Sequence, residues 1–123
     1  MKLIPENDNL LRQVCAEYDF QSETLEERHD RVQQMIDLMA LSHGVGLAAP
    51  QIGLLQRFFI IEAHGSRFPC YNPSIVESSS ETDLDYEGCL SFPDLFFKVP
   101  RSVSVLGKFQ DIEGKWMTEG LTV

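Results

Sequence analysis

The spacing of apolar residues changes period part-way along this chain, and that change limits the folds open to it. Thr24 and Glu27 stand three apart, the spacing of a capping box, and Val32, Met35, Ile36 and Met39 then recur along one face of an α-helix. Gly44 sits where a C-terminal cap would end that helix. Beyond it the pattern becomes that of strands. Residues 57–62 are rich in Phe and Ile, residues 73–76 read as a short extended piece, and residues 102–106 alternate Val with Ser. The opening segment through Leu10, Leu11 and Val14 reads as a short helix or turn packed on the domain, and Ser78-Ser79-Ser80 as a solvated turn. A short helical segment and one long helix, then several short strands, predict an α+β fold with a mostly antiparallel sheet.

Composition narrows the function classes. The 123 residues contain no internal repeat and no low-complexity linker, so they are expected to form one domain, residues 1–123, burying roughly 65% of the unfolded chain's surface. Ten Lys plus Arg against nineteen Asp plus Glu give a net charge of -9, with no basic cluster to neutralise phosphates. Direct nucleic-acid binding is not expected. No apolar run approaches the ~18 residues of a membrane span. The start, Met1-Lys2-Leu3-Ile4-Pro5-Glu6, is interrupted too early for a secretory signal. Three cysteines, Cys15, Cys70 and Cys89, make an odd number without close pairing, which favours a reducing compartment such as the cytoplasm.

Two stretches carry the chemistry. Gly44-Val45-Gly46-Leu47-Ala48-Ala49-Pro50-Gln51 breaks the helical pattern with two glycines and runs through small apolar residues to an uncharged amide, which suits backbone passing close to a ligand. A tight turn needing Gly44 and Gly46 for unusual angles is the structural alternative. A nucleotide-binding loop fits poorly, because the glycines follow the helix and no P-loop Lys-Ser/Thr comes after them. The second stretch, Glu87-Gly88-Cys89-Leu90-Ser91, sets a lone cysteine between a glycine and an aliphatic residue. On its own such a cysteine reads as a small apolar residue, and Cys15 and Cys70 are read that way.

In this order the two stretches resemble the first and second signature motifs of the peptide deformylases, metal hydrolases that remove the formyl group from the initiator methionine of new polypeptides. The resemblance implies that the Gln51 amide and the Leu90 N–H donate to the oxyanion formed when the formyl carbonyl is attacked. Cys89 would be a thiolate ligand of a divalent metal, iron(II) with zinc, nickel or cobalt as alternatives. Val45 and Tyr86 would border the pocket for the methionine side chain, and the backbone at Gly46 and Gly88 would meet the peptide. Glu87 and Arg101 would pair to support the metal loop. The implied partners are N-formylmethionyl nascent peptides and, indirectly, the ribosome, in a bacterial, organellar or viral setting.

The family's third motif, H-E-x-D-H, occurs nowhere in these residues. A hydrolytic metal site generally has three protein ligands and an open position for water. In the family the third motif supplies two of the three ligands and the glutamate that moves the proton. Here His29, His43 and His64 do not reproduce that spacing. Trp116 to Val123 resembles the strand and turn leading into the third-motif helix. The expectation is therefore a deformylase domain that is C-terminally incomplete, lacks its metal-binding helix, is inactive alone, holds metal weakly and exposes an apolar sheet face. Two other readings stand beside it. One is a deformylase-like module that binds formylated N-termini without cleaving them, or is completed by another chain. The other is a thiol enzyme using Cys89 with His43.

Overall fold

The computed structural model describes the backbone of residues 1–78, 82–89, 92–102 and 104–122, and side-chain surroundings for residues 1–77 and 105–120. One long helix, α1 (Leu25–Leu41), is followed by seven strands: β1 (Gly46–Ala48), β2 (Phe58–Ala63), β3 (Ser66–Ser78), β4 (Thr82–Cys89), β5 (Phe92–Ser102), β6 (Ser104–Gln110) and β7 (Trp116–Thr122). Two short 3-10 turns complete the order, Asn9–Arg12 before α1 and Ala49–Ile52 between β1 and β2. Five strands form an antiparallel sheet in the order β1-β2-β3-β6-β7, and β4 and β5 form a separate antiparallel ribbon. The α+β class and the antiparallel sheet expected from the sequence are both present.

The helix begins where its capping box lies. Thr24 Oγ1 accepts the Glu27 N–H at 3.1 Å and Glu27 Oε1 accepts the Thr24 N–H at 3.0 Å, satisfying two donors that a helix start leaves orphaned. At the other end the Gly44 N–H closes on the Met39 carbonyl at 2.9 Å, but the residue that turns left-handed is His43, at φ 56. Histidine is among the residues that tolerate this region more readily, and its side chain is exposed. Asp8 caps the first 3-10 turn, where Leu10 and Leu11 are half-buried. Val14, expected to pack with them, is instead 96% exposed.

One face of the sheet carries the core. Val32, Met35 and Met39 from α1 meet Leu47 of β1, Phe58 and Ile60 of β2 and Tyr71 of β3, with Tyr18 from the N-terminal segment. Strand alternation sends the intervening residues the other way, so Phe59, Ile61, Phe68 and Cys70 line a groove of about 390 Å³ on the opposite face. The pairings Phe58↔Tyr71 on one side and Phe59↔Cys70 and Ile61↔Phe68 on the other fix this division. A shift of one residue would exchange the two sets.

Strand β3 is far longer than the 73–76 piece read from sequence. Pro69 and Pro73 lie inside it, and Asn72 interrupts the ladder at φ 50 where the register with β6 shifts. Asn tolerates the left-handed region, and its amide here replaces a strand neighbour. Asn72 Oδ1 accepts the Tyr18 N–H at 2.7 Å, while Nδ2 donates to the Tyr18 carbonyl and to Gln110 Oε1. Of the expected Ser78–80 turn, Ser78 ends β3, whereas Ser79 and Ser80 lie outside the described residues.

Candidate active site

The first motif leaves α1, forms β1 and ends in the 3-10 turn Ala49–Ile52. Among the described residues β1 pairs only with β2, so it forms an edge of the five-stranded sheet. Leu47 points into the core and is 1% exposed, whereas Val45 is 67% exposed beside that edge and its carbonyl accepts the Glu62 N–H at 2.8 Å. Gly46 is exposed and paired opposite Ile61. Its backbone is not left-handed, and a Cβ placed on it would meet the Ile60 carbonyl oxygen at 3.7 Å, an ordinary contact. Neither strain nor crowding accounts for glycine at position 46; what the missing side chain leaves is accessible main chain.

The turn carrying Gln51 is held at both ends. Pro50 presets its early backbone, and Gly53 closes it at φ 89, a left-handed angle that favours glycine. Ala49 is fully buried beneath it. Gln51 Oε1 accepts the Ala48 N–H at 2.9 Å, so the orientation of the carboxamide is set and Nε2 is the end carrying donors. The Gln51 carbonyl accepts the Ile4 N–H at 2.9 Å. An uncharged donor held this way can meet a developing negative charge without titrating.

The second motif runs into the β4–β5 hairpin. Tyr86, Glu87 and Gly88 lie opposite Lys98, Phe97 and Phe96, and the register shifts between Gly88 and Cys89, which lies opposite Phe92. Such a shift re-aims the chain at the end of β4. Leu90 and Ser91 lie outside the described residues, as do the side chains of Tyr86, Glu87, Cys89 and Arg101. Arg101 stands opposite Asp83 in the ribbon.

The remaining cysteines and the histidines occupy other places. Cys70 is 3% exposed, and burial, aided by the charge of Glu119, pushes its thiol up to about 12, which makes it a poor nucleophile. Cys15 is half-buried. His29 is exposed on α1, His43 is exposed at the helix end, and His64, in the β2–β3 turn, approaches Glu119 Oε2 at 3.6 Å. Among the described residues no three of His, Cys, Asp and Glu gather to hold a metal ion. A three-ligand metal centre therefore does not fit these described residues taken alone. No helix among them is long and apolar enough to cross a membrane.

An edge strand with accessible main chain thus runs directly into an oriented carboxamide. The polypeptide deformylase family profile matches residues 1–122, and the chain belongs to that family. It is 42% identical over 90 residues to a peptide deformylase of Thermotoga neapolitana, a match covering 73% of this chain and 55% of that protein. The chain thus spans about half the length of the curated relatives it matches. Its fold is similar to the crystal structure of a probable peptide deformylase from Synechococcus phage S-SSM7, with TM-score 0.91 and 34% identity, covering all of this chain and 84% of that one. It is also similar to a Met-Ala-Ser-bound class I type b peptide deformylase from Acinetobacter baumannii, with TM-score 0.90 and 25% identity, covering 99% and 83%.

Proposed function

We propose that this chain provides the substrate cleft and the oxyanion donors of a cytoplasmic peptide deformylase, which removes the formyl group from N-formylmethionyl nascent peptides. The observation that carries this reading is the pinned carboxamide of Gln51 beside the open edge of β1. The formylated peptide lies along Gly46 and Gly88, adding main-chain hydrogen bonds to the edge, with its methionine side chain bordered by Val45 and Tyr86. Water adds to the formyl carbon, the carbonyl electrons move onto oxygen, and the Gln51 amide and the Leu90 N–H meet that oxyanion. The C–N bond then breaks, formate departs and the freed amine takes up a proton. Support for peptide binding comes from the relative that holds Met-Ala-Ser.

A divalent ion, when bound, supplies the activated water. Cys89 offers one thiolate to it, with Glu87 and Arg101 supporting the loop, and the other ligands come from outside residues 1–123. These residues alone should neither hold the metal well nor turn over. A formyl-Met-Ala-Ser assay tests this: metal-dependent formate release from the 123-residue chain by itself would contradict it.

The lack of a ligand triplet among the described residues, together with the missing H-E-x-D-H, favours one second reading, a module that binds formylated N-termini without cleaving them. Titration with formyl-Met-Ala-Ser in the absence of metal separates the two. No saturable binding contradicts the module and leaves a catalytic part that needs its complement.

A further inference from the structure

We infer that the N-terminal segment, through the backbone N–H of Ile4, is a positioning element for Gln51; the inference rests on the oxyanion role proposed for that residue. A 3-10 turn of four residues, Ala49–Ile52, is too short to persist by itself, because its hydrogen bonds are few and poorly aligned. Its C-terminal carbonyls also lack partners within the turn. Gly53 satisfies part of that need, its N–H donating to the Pro50 carbonyl at 3.0 Å. The Gln51 carbonyl is instead met by Ile4, 47 residues away in sequence, at 2.9 Å.

The donor is itself held in place. Ile4 precedes Pro5, and a residue before proline is restricted to extended backbone. Its Cγ2 lies 3.7 Å from the position a Cβ would take on Gly53, so its side chain rests on the residue that closes the turn. Leu3, one residue earlier, packs against the core cluster together with Ile52 and Leu54. The segment therefore meets the turn by a main-chain bond at Gln51 and an apolar contact at Gly53, and is anchored beside it by Leu3 in the core. Gln51 is in this way tied at two atoms, Oε1 by Ala48 and the main-chain oxygen by Ile4. A displacement of about 1 Å at a reacting group costs on the order of 100-fold in rate, so loosening one tie should register in turnover.

The test removes one atom pair. A synthetic segment of residues 1–14 carrying an ester in place of the Ile4 amide, joined by native chemical ligation at Cys15, deletes the N–H and keeps every side chain. In the 123-residue chain, the two Gln51 Nε2 proton NMR signals should lie away from their random-coil positions with the amide and move toward those positions with the ester. Signals that do not move overturn the inference. In the metal-loaded enzyme the ester should lower kcat roughly 10-fold with KM within about twofold, and should cause no further loss in a Gln51→Ala background. An equal loss in both backgrounds marks a general structural effect and overturns it too. If Gln51→Ala itself leaves kcat unchanged, the oxyanion role fails and this inference with it; if Gln51→Ala is impaired while the ester is not, only this inference fails.

Discussion

Gln51 owes its orientation to a neighbouring main-chain N–H, and that makes its side chain more than a long polar group near a cleft. In the role proposed for it, replacing it by alanine removes a donor fixed before the reaction begins. In the metal-loaded enzyme, Gln51→Ala should lower kcat by about 10² to 10³ with little change in KM, measured by formate release from formyl-Met-Ala-Ser. A change confined to KM would point to ground-state binding instead. Glu27 offers a second test at this scale. Its hydrogen bonds with the Thr24 backbone and hydroxyl hold its carboxyl below the usual range. The unfolded chain therefore binds the proton more readily, so the box's stabilisation is fully present above the ordinary glutamate range and fades as pH falls through the lower folded-state value. Thermal melts of the parent and Glu27→Gln from about pH 6 to about pH 3 should converge on acidification. Divergence would contradict the assignment.

Among the elements, α1 was legible because its signals are local: a capping box and a stripe at helical spacing need only their own neighbourhood. Arg28 was not. It lies on the same face as Val32 and Met35 and is 7% exposed, although its charge suggests solvent. Its Nε donates to the Ile112 carbonyl at 2.7 Å, and Nη1 to the Phe20 and Glu23 carbonyls, while the guanidinium lies 5.0 Å from the Phe20 ring centre. One side chain thus joins α1, the N-terminal segment and the β6–β7 turn. Arg28→Leu should destabilise the fold by about 2–3 kcal/mol, read from urea denaturation, because three partly buried carbonyls lose a charged donor. Strands were harder to read than the helix, since their partners are remote. The prolines and left-handed Asn72 disguised β3, and two prolines interrupt the Phe-rich run of β5. For the proposed site, Gln51 and Cys89 stand out in the sequence through their motifs. The Ile4 bond does not, because a main-chain donor leaves no side-chain signature.

At the scale of the whole molecule, the two faces of the five-stranded sheet are unequal. One is sealed by α1, and the other bears the apolar groove, bordered by Ile75 at 69% exposure. Val76 and Trp116 are more than half exposed as well. A contiguous apolar surface of this kind on an isolated chain favours association. The 123-residue chain should bind a hydrophobic dye such as ANS and melt irreversibly, and Ile75→Lys should raise its soluble fraction while changing folding stability by no more than about 0.5 kcal/mol. A sharp, reversible melt of the parent by circular dichroism would contradict this. The account as a whole depends on Cys89 and Gln51 facing one small cleft. In a chain with Cys15 and Cys70 replaced by alanine, Gln51→Cys should be joined to Cys89 within the molecule by a short bifunctional thiol reagent, rapidly and in high yield. Gln34→Cys, on the exposed surface of α1, should not. Efficient bridging at position 51 alone is the result predicted, and bridging no better than at position 34 would contradict it.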